Sequence, residues 1–198
     1  MHPSLSIQQE RAYVVNVAIQ EIHGLRLASL LARRGANSTL AATAAAVFNI
    51  DLPLTSRVAQ HDGLAFVGSG PGHWLVVADP SRAAEDGDLE TLLSLAFAGL
   101  ATACEQTDSR VVLEVSGPAA RATLAKGLPI DLHPRQLQPD DAVLSLAAHI
   151  GVQLWQTNND PCYRLAVARS YAASLRRWLD KAAAEFAEVT RSSTAGQA

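Results

Sequence analysis

The chain is poor in the residues that staple a fold or form a ready-made site. Its two cysteines, Cys104 and Cys162, lie far apart and show no Cys-x-x-Cys spacing. Neither a zinc knuckle nor a thioredoxin-type redox pair can be built from them alone, and both read as reduced, buried thiols. Lysine and arginine form no block, and the formal net charge is -3, so nucleic acid, which is bound through clustered cations, is disfavoured as a partner. No apolar stretch is long enough to span a membrane. Gln8, Gln9, Glu10 and Arg11 stand where a signal peptide would carry its apolar segment, so a cytoplasmic location is expected.

Catalytic motifs are also missing. Gly68-Ser69-Gly70-Pro71-Gly72 has His73 where a dinucleotide fingerprint needs its third glycine, and Pro71 has no backbone donor to offer a phosphate. No Gly-x-Ser-x-Gly elbow surrounds Ser69 or Ser116. The histidines, His2, His23, His61, His73, His133 and His149, lack His-x-x-x-His spacing and a neighbouring cysteine, so a metal site would have to be assembled wholly by the fold. Asp140-Asp141 follows Pro139 in a polar stretch and reads as turn residues rather than a general acid and base.

What the chain does have is a core. At 198 residues, with 48% hydrophobic and 18% charged residues, it can bury about 70% of its unfolded surface without disulfides. Tyr13 to Ile22 and Leu25 to Leu31, separated by His23-Gly24, predict two strands joined by a tight turn. Ser38 or Thr39 is placed to cap a helix through Leu40, Thr43, Ala44, Val47 and Phe48 that runs until Pro53. The Gly/Pro cluster 68–72 predicts a hairpin between Leu64–Val67 and Trp74–Ala78. Leu89, Leu92, Leu93, Ala96 and Leu100 form a one-sided helical stripe, with Glu85, Asp86 and Asp88 at its positive end.

The second half repeats this vocabulary. Arg110 to Val115 predicts a strand, Ser116-Gly117-Pro118 opens a helix over Ala119 to Lys126, and Gly127 stops it. Ala142 to Ile150, Val152 to Trp155 and Tyr163 to Ala168 predict strands, the last two joined by the turn Asn158 to Pro161. Leu175, Trp178, Leu179, Ala182 and Phe186 mark a closing amphipathic helix. The expected architecture is α+β, with two pseudo-repeated lobes of largely antiparallel sheet covered by helices. Residues 12–107 make the first lobe and 108–189 the second, with flexible segments at 1–11 and 190–198.

One segment is dense in polar and charged residues: Asp108-Ser109-Arg110, Ser116 to Arg121, Leu124 to Gly127 and Ile130 to Arg135. On the residues alone, Asp131 is a turn-former and His133 the residue before a proline. The same residues resemble a known signature. Thr107-Asp108-Ser109-Arg110, Leu113 to Arg121, Leu124 to Gly127 and Asp131 to Pro134 are similar to motifs of the sarcosine oxidase gamma subunit family. Gly70-Pro71-Gly72-His73-Trp74-Leu75 and Arg169-Ser170-Tyr171-Ala172 leading to Trp178-Leu179 match in the same order, from about Leu25 to Ala183. Leu128 where the family often has cysteine, Gly72-His73 for the usual Asp-Glu, and Cys162 are departures. They leave open a relative acting on another N-methyl amine.

The resemblance implies a fold like the tetrahydrofolate-binding lobes of the glycine-cleavage T-protein, and a gamma subunit that contributes no catalytic group and holds no cofactor or metal. Alpha, beta and delta subunits are the implied partners, the beta subunit carrying FAD and FMN and the alpha subunit NAD and the tetrahydrofolate site. The implied reaction of the complex oxidises sarcosine to glycine with hydrogen peroxide and formaldehyde or methylenetetrahydrofolate. The residues expected to touch partners are Lys126, Asp131, His133 and Arg135. The competing expectation is an autonomous folate-binding one-carbon protein of the T-protein kind, which would want an acidic residue gripping the pterin in a deep pocket.

Overall fold

The computed structural model describes residues 16–82, 88–158 and 160–186. The segments 1–11 and 190–198, and Glu85 and Asp86, lie outside them. Among the described residues ten strands form two five-stranded sheets in which every pairing is antiparallel. One sheet has the order β3 (Val58–His61), β4 (Leu64–Gly70), β5 (His73–Ala78), β2 (Arg26–Ala32), β6 (Ala101–Glu105). The other runs β1 (Ala18–Glu21), β7 (Arg110–Ser116), β10 (Cys162–Ala168), β9 (Ile150–Asn158), β8 (Ala142–Ala147).

The side-chain alternation of the strands fixes how the sheets stack. In β5, Trp74, Val76 and Ala78 face a core shared with α1 (Asn37–Phe48) and α2 (Leu89–Ala96), while Leu75 and Val77 face the opposite way. In β7 and β10, Val111, Leu113, Leu165 and Val167 pack under α3 (Ala120–Ala125) and α4 (Arg169–Ala183). Val112 and Ala166 turn inward to meet Leu27, Val67, Leu75 and Val77 of the first sheet, with Trp155 beside them. The result is four layers, helices outside and two sheets face to face, so the inner strands are buried on both sides. At one end the sheets are stitched directly: Val58 N donates to Asp140 O (2.7 Å), Ala142 N to Ser56 O (2.9 Å), and the Arg57 guanidinium to Asp141 Oδ1 (2.7 Å).

Several local expectations change. The first two strands do not pair: β1 adds to β7 with Ala18 opposite Ser116, whereas β2 lies between β5 and β6. The chain crosses from one sheet to the other at His23-Gly24, Gly24 taking a left-handed backbone (φ 77°). Helix α1 starts at Asn37 without a side-chain cap. It ends at Asn49, whose left-handed backbone (φ 53°) lets Asn49 N donate to Ala45 O (3.1 Å) and Ile50 N to Ala44 O (3.4 Å), well before Pro53. The strand expected over Ala142–Ile150 turns at Ala148-His149, both at positive φ (48° and 69°), so Ile150 opens β9. Cys162 is buried as expected, but Cys104 is exposed on β6.

Candidate functional site

The residues singled out by the sequence converge on the end of α3 and the loop that follows it, where most are engaged within the fold. Lys126 closes α3 and turns its Nζ to the end of α4. There it donates to Ala182 O, pairs with Glu185 Oε1 (2.7 Å) and lies 4.6 Å from the Phe186 ring centroid. A cation at a helix C-terminus meets unpaired carbonyls, which is why lysine suits this place. Gly127 follows with no left-handed backbone. Its role is space, since a Cβ there would lie 2.3 Å from Trp178 Cζ2. Gly117 is needed twice over, for φ 103° and for the approach of Asn16 O. Arg121 Nε donates to the Tyr163 hydroxyl (3.0 Å), and burial pushes that phenol's pKa up.

The loop from Leu128 to Leu137 is pinned by apolar anchors. Leu128, Leu132 and Leu137 are buried in the second core, and the polar residues between them alternate outward. Asp131 Oδ1 accepts from His133 N (2.8 Å), and His133 Nδ1 accepts from Arg135 N (3.2 Å), which places the ring proton on Nε2. His133 O then accepts from Gln136 N (2.8 Å) and Leu137 N (3.0 Å). Asp131, His133 and Arg135 are exposed. Asp131 and His133 are thus occupied in shaping the loop. Arg135 alone of the four presents a guanidinium that makes no hydrogen bond or ion pair among the described residues.

Asp108-Ser109-Arg110 and Arg169 lie in separate motifs of the sequence, and the fold brings them together. Arg169 N donates to Ser109 O (2.8 Å), while its guanidinium donates to the carbonyls of Asp108 (2.6 Å), Thr107 (3.2 Å) and Arg110 (3.2 Å), tying the start of α4 to the turn before β7. A groove of about 640 Å³ beside Lys126 was not anticipated. It is lined by Lys126, Gly127, Pro129, Leu146, His149 and Trp178, among others. Its sequence signal is faint, because it is made by residues distant in the chain. Between the sheets, Arg164 pairs with Glu114 (3.0 Å), and Gln153 donates to Val67 O (3.1 Å) while accepting from the Ser69 hydroxyl (3.1 Å). Among the described residues no group of three or more His, Cys, Asp and Glu side chains is arranged to hold a metal ion.

Paired antiparallel sheets between helical layers, with the signature residues used as structural ties, define an α+β protein of the T-protein kind of fold. The aminomethyltransferase T of the glycine cleavage system from Bartonella henselae superposes on 84% of this chain and 46% of its own with a TM-score of 0.61 at 17% identity, a likeness of fold. Sequence narrows the class. The model of the sarcosine oxidase, gamma subunit family matches residues 33–185, and the chain belongs to that family. The sarcosine oxidase subunit gamma of Corynebacterium sp. strain U-96 is 31% identical over 151 residues, 75% of this chain and 71% of the relative. That of Corynebacterium sp. strain P-1 is 35% identical over 127 residues, 64% of this chain and 60% of the relative. A chain of the heterotetrameric sarcosine oxidase of Corynebacterium sp. U-96, solved in complex with pyrrole 2-carboxylate, aligns over 88% of this chain and 87% of its own. Its TM-score is 0.74 at 28% identity.

Proposed function

We propose that this chain is the non-catalytic gamma subunit of a heterotetrameric sarcosine oxidase. It assembles with alpha, beta and delta subunits that hold FAD, FMN, NAD and tetrahydrofolate. The complex oxidatively demethylates sarcosine to glycine, producing hydrogen peroxide and either formaldehyde or 5,10-methylenetetrahydrofolate. The observation that carries this reading is the agreement in shape over nearly the whole chain with a chain of such a heterotetramer. The internal use of the signature residues supports it, since Gly117, Arg121, Lys126, Gly127 and Arg169 all serve to hold elements together. The autonomous folate-binding reading has only a likeness of fold to 46% of the transferase behind it.

Within this reading, the loop carrying Lys126, Asp131, His133 and Arg135 contributes a partner contact through Arg135, its exposed and unpaired cation. Co-expression with the other subunits tests the whole. The chain should co-purify with them and be required for a stable, active complex, while the chain expressed alone should be colourless. A stoichiometric flavin or NAD spectrum in the chain purified by itself would overturn the assignment.

A further inference from the structure

Among the described residues strand β8 pairs only with β9 and is the open edge of its sheet. Ala147 and Ile150 flank the two-residue turn Ala148-His149, so Val143, Ser145 and Ala147 direct their backbone groups to β9, and Leu144 and Leu146 direct theirs outward. The same alternation appears at the ends of the edge, where Ala142 N donates to Ser56 O (2.9 Å) and Ala148 N to Gly127 O (3.0 Å). Between those closed ends the N–H and C=O groups of Leu144 and Leu146 have no partner among the described residues. Open edges are ordinarily blunted by lysine, proline or a bulge. Residues 142–150 contain no lysine, proline or acidic residue, and Leu144 and Leu146 are 57% and 50% exposed.

This edge continues into the groove. Leu146 lines it together with Pro129, His149 and Trp178, and beyond Trp178 lies a shallower depression with Arg177 and Lys181. These two cations stand four positions apart on α4 and face no carboxylate among the described residues, whereas their neighbour Arg176 is paired with Asp180 (2.9 Å). Like charges at this spacing disfavour a helix. The turn at Ala148-His149 uses two side-chain-bearing residues where Asn-Gly is the unstrained choice.

We infer that β8 receives an extended segment of a partner subunit by strand addition, with an apolar side chain seated in the groove against Leu146 and Trp178 and an adjacent carboxylate meeting Arg177 and Lys181. The inference rests on the assembly reading above and names the surface and the chemistry through which that assembly forms. The free backbone groups select an extended partner, the groove selects its apolar residue, and the two cations select its acid. A second copy paired edge to edge would present its own residues 142–150, which carry no acid. The chain's own residues 187–198 carry one acid, Glu188, beside Val189, their one apolar side chain larger than alanine, among Ala, Ser, Thr, Gly, Arg and Gln; a single valine is too small to fill the groove.

Hydrogen exchange on the isolated chain and on the assembled complex tests this. The Leu144 and Leu146 amides should exchange rapidly in the chain alone and slow by about a hundredfold or more on assembly. Leu146→Lys should weaken assembly by about tenfold or more. Leu144→Pro, which removes an outward donor and spares the β9 ladder, should do the same. Circular dichroism and thermal melting of each isolated variant report whether it folds, and the exchange measurement on the unmodified chain does not depend on either variant. Co-purification of the unmodified chain with both amides still fast would overturn this inference alone, and failure to co-purify would overturn the assembly reading with it. Protection already present in the isolated chain would also overturn it, pointing to the chain's own tail if deletion of residues 188–198 abolishes it, or to a second copy if dilution does.

Discussion

A methyl group on Gly127 would sit 2.3 Å from Cζ2 and 2.9 Å from Cη2 of Trp178, inside van der Waals contact with an indole that is itself packed on the second core. Either α4 or the start of the Leu128 loop would have to yield. Gly127→Ala should therefore destabilise the chain by about 1–3 kcal/mol, the usual cost of overpacking. Chemical denaturation measures it, and a loss below about 0.5 kcal/mol would show that the indole swings aside at no cost. Lys126 has a comparable role from the other side, since its stem and ammonium hold the last turn of α4 through Ala182 O and Glu185. Both are conspicuous in the sequence because two helices cross closely at this point.

At the scale of elements, the helices differ in how their ends are held. Helix α2 begins at Asp88, whose carboxylate accepts from Thr91 N (3.0 Å) and from the Thr91 hydroxyl. Those hydrogen bonds hold its pKa below the ordinary aspartate value of 3.8. A depressed native pKa means the unfolded chain binds the proton more readily. The contribution is therefore complete above that ordinary value and is lost as the pH falls through the lowered native one. Asp88→Asn keeps a cap but removes the charge. Wild type should melt above this variant at neutral pH, and the gap should close as the pH falls below the ordinary aspartate value and through the lowered native one. A gap independent of pH would assign the effect to shape rather than charge. Of the turns, Asp62-Gly63 joins β3 to β4 with both residues at positive φ, a hairpin signature visible in the sequence that the expected elements left out.

For the whole molecule, the four layers commit the loop of Lys126 to Arg135 to one end of the second sheet, where the buried leucines order it and its polar groups need no partner to do so. The contact proposed for Arg135 accordingly concerns its charge alone. Arg135→Glu should weaken association with the larger subunits, more so at low salt, where screening is weaker. The isolated chain should keep its stability within about 0.5 kcal/mol, because the side chain is exposed. Titration of the variant and the unmodified chain against the partner subunits at two ionic strengths separates the effects, and equal affinity at both would leave this loop a solvated turn.

What the sequence determined by itself was the vocabulary and the family. Periodicity two and periodicity 3.6 place most strands and the amphipathic helices close to where they form. The motifs from Thr107 to Pro134 and from Arg169 to Leu179 are legible as short stretches of sequence, although the contacts they make, Arg169 to Asp108, Arg121 to Tyr163 and Gly127 to Trp178, join residues far apart in the chain. Tertiary structure decided what no local pattern encodes. Whether β1 pairs with its neighbour β2 or with β7 depends on which edge buries more apolar surface, an energy summed over residues far apart in the chain. The turn at Ala148-His149 is set by β8 and β9 closing on each other, since neither residue favours positive φ. The groove at Trp178, beside the open edge at Leu144 and Leu146, exists only where three distant segments, 125–129, 146–149 and the α4 turn at Trp178, meet and leave space between them.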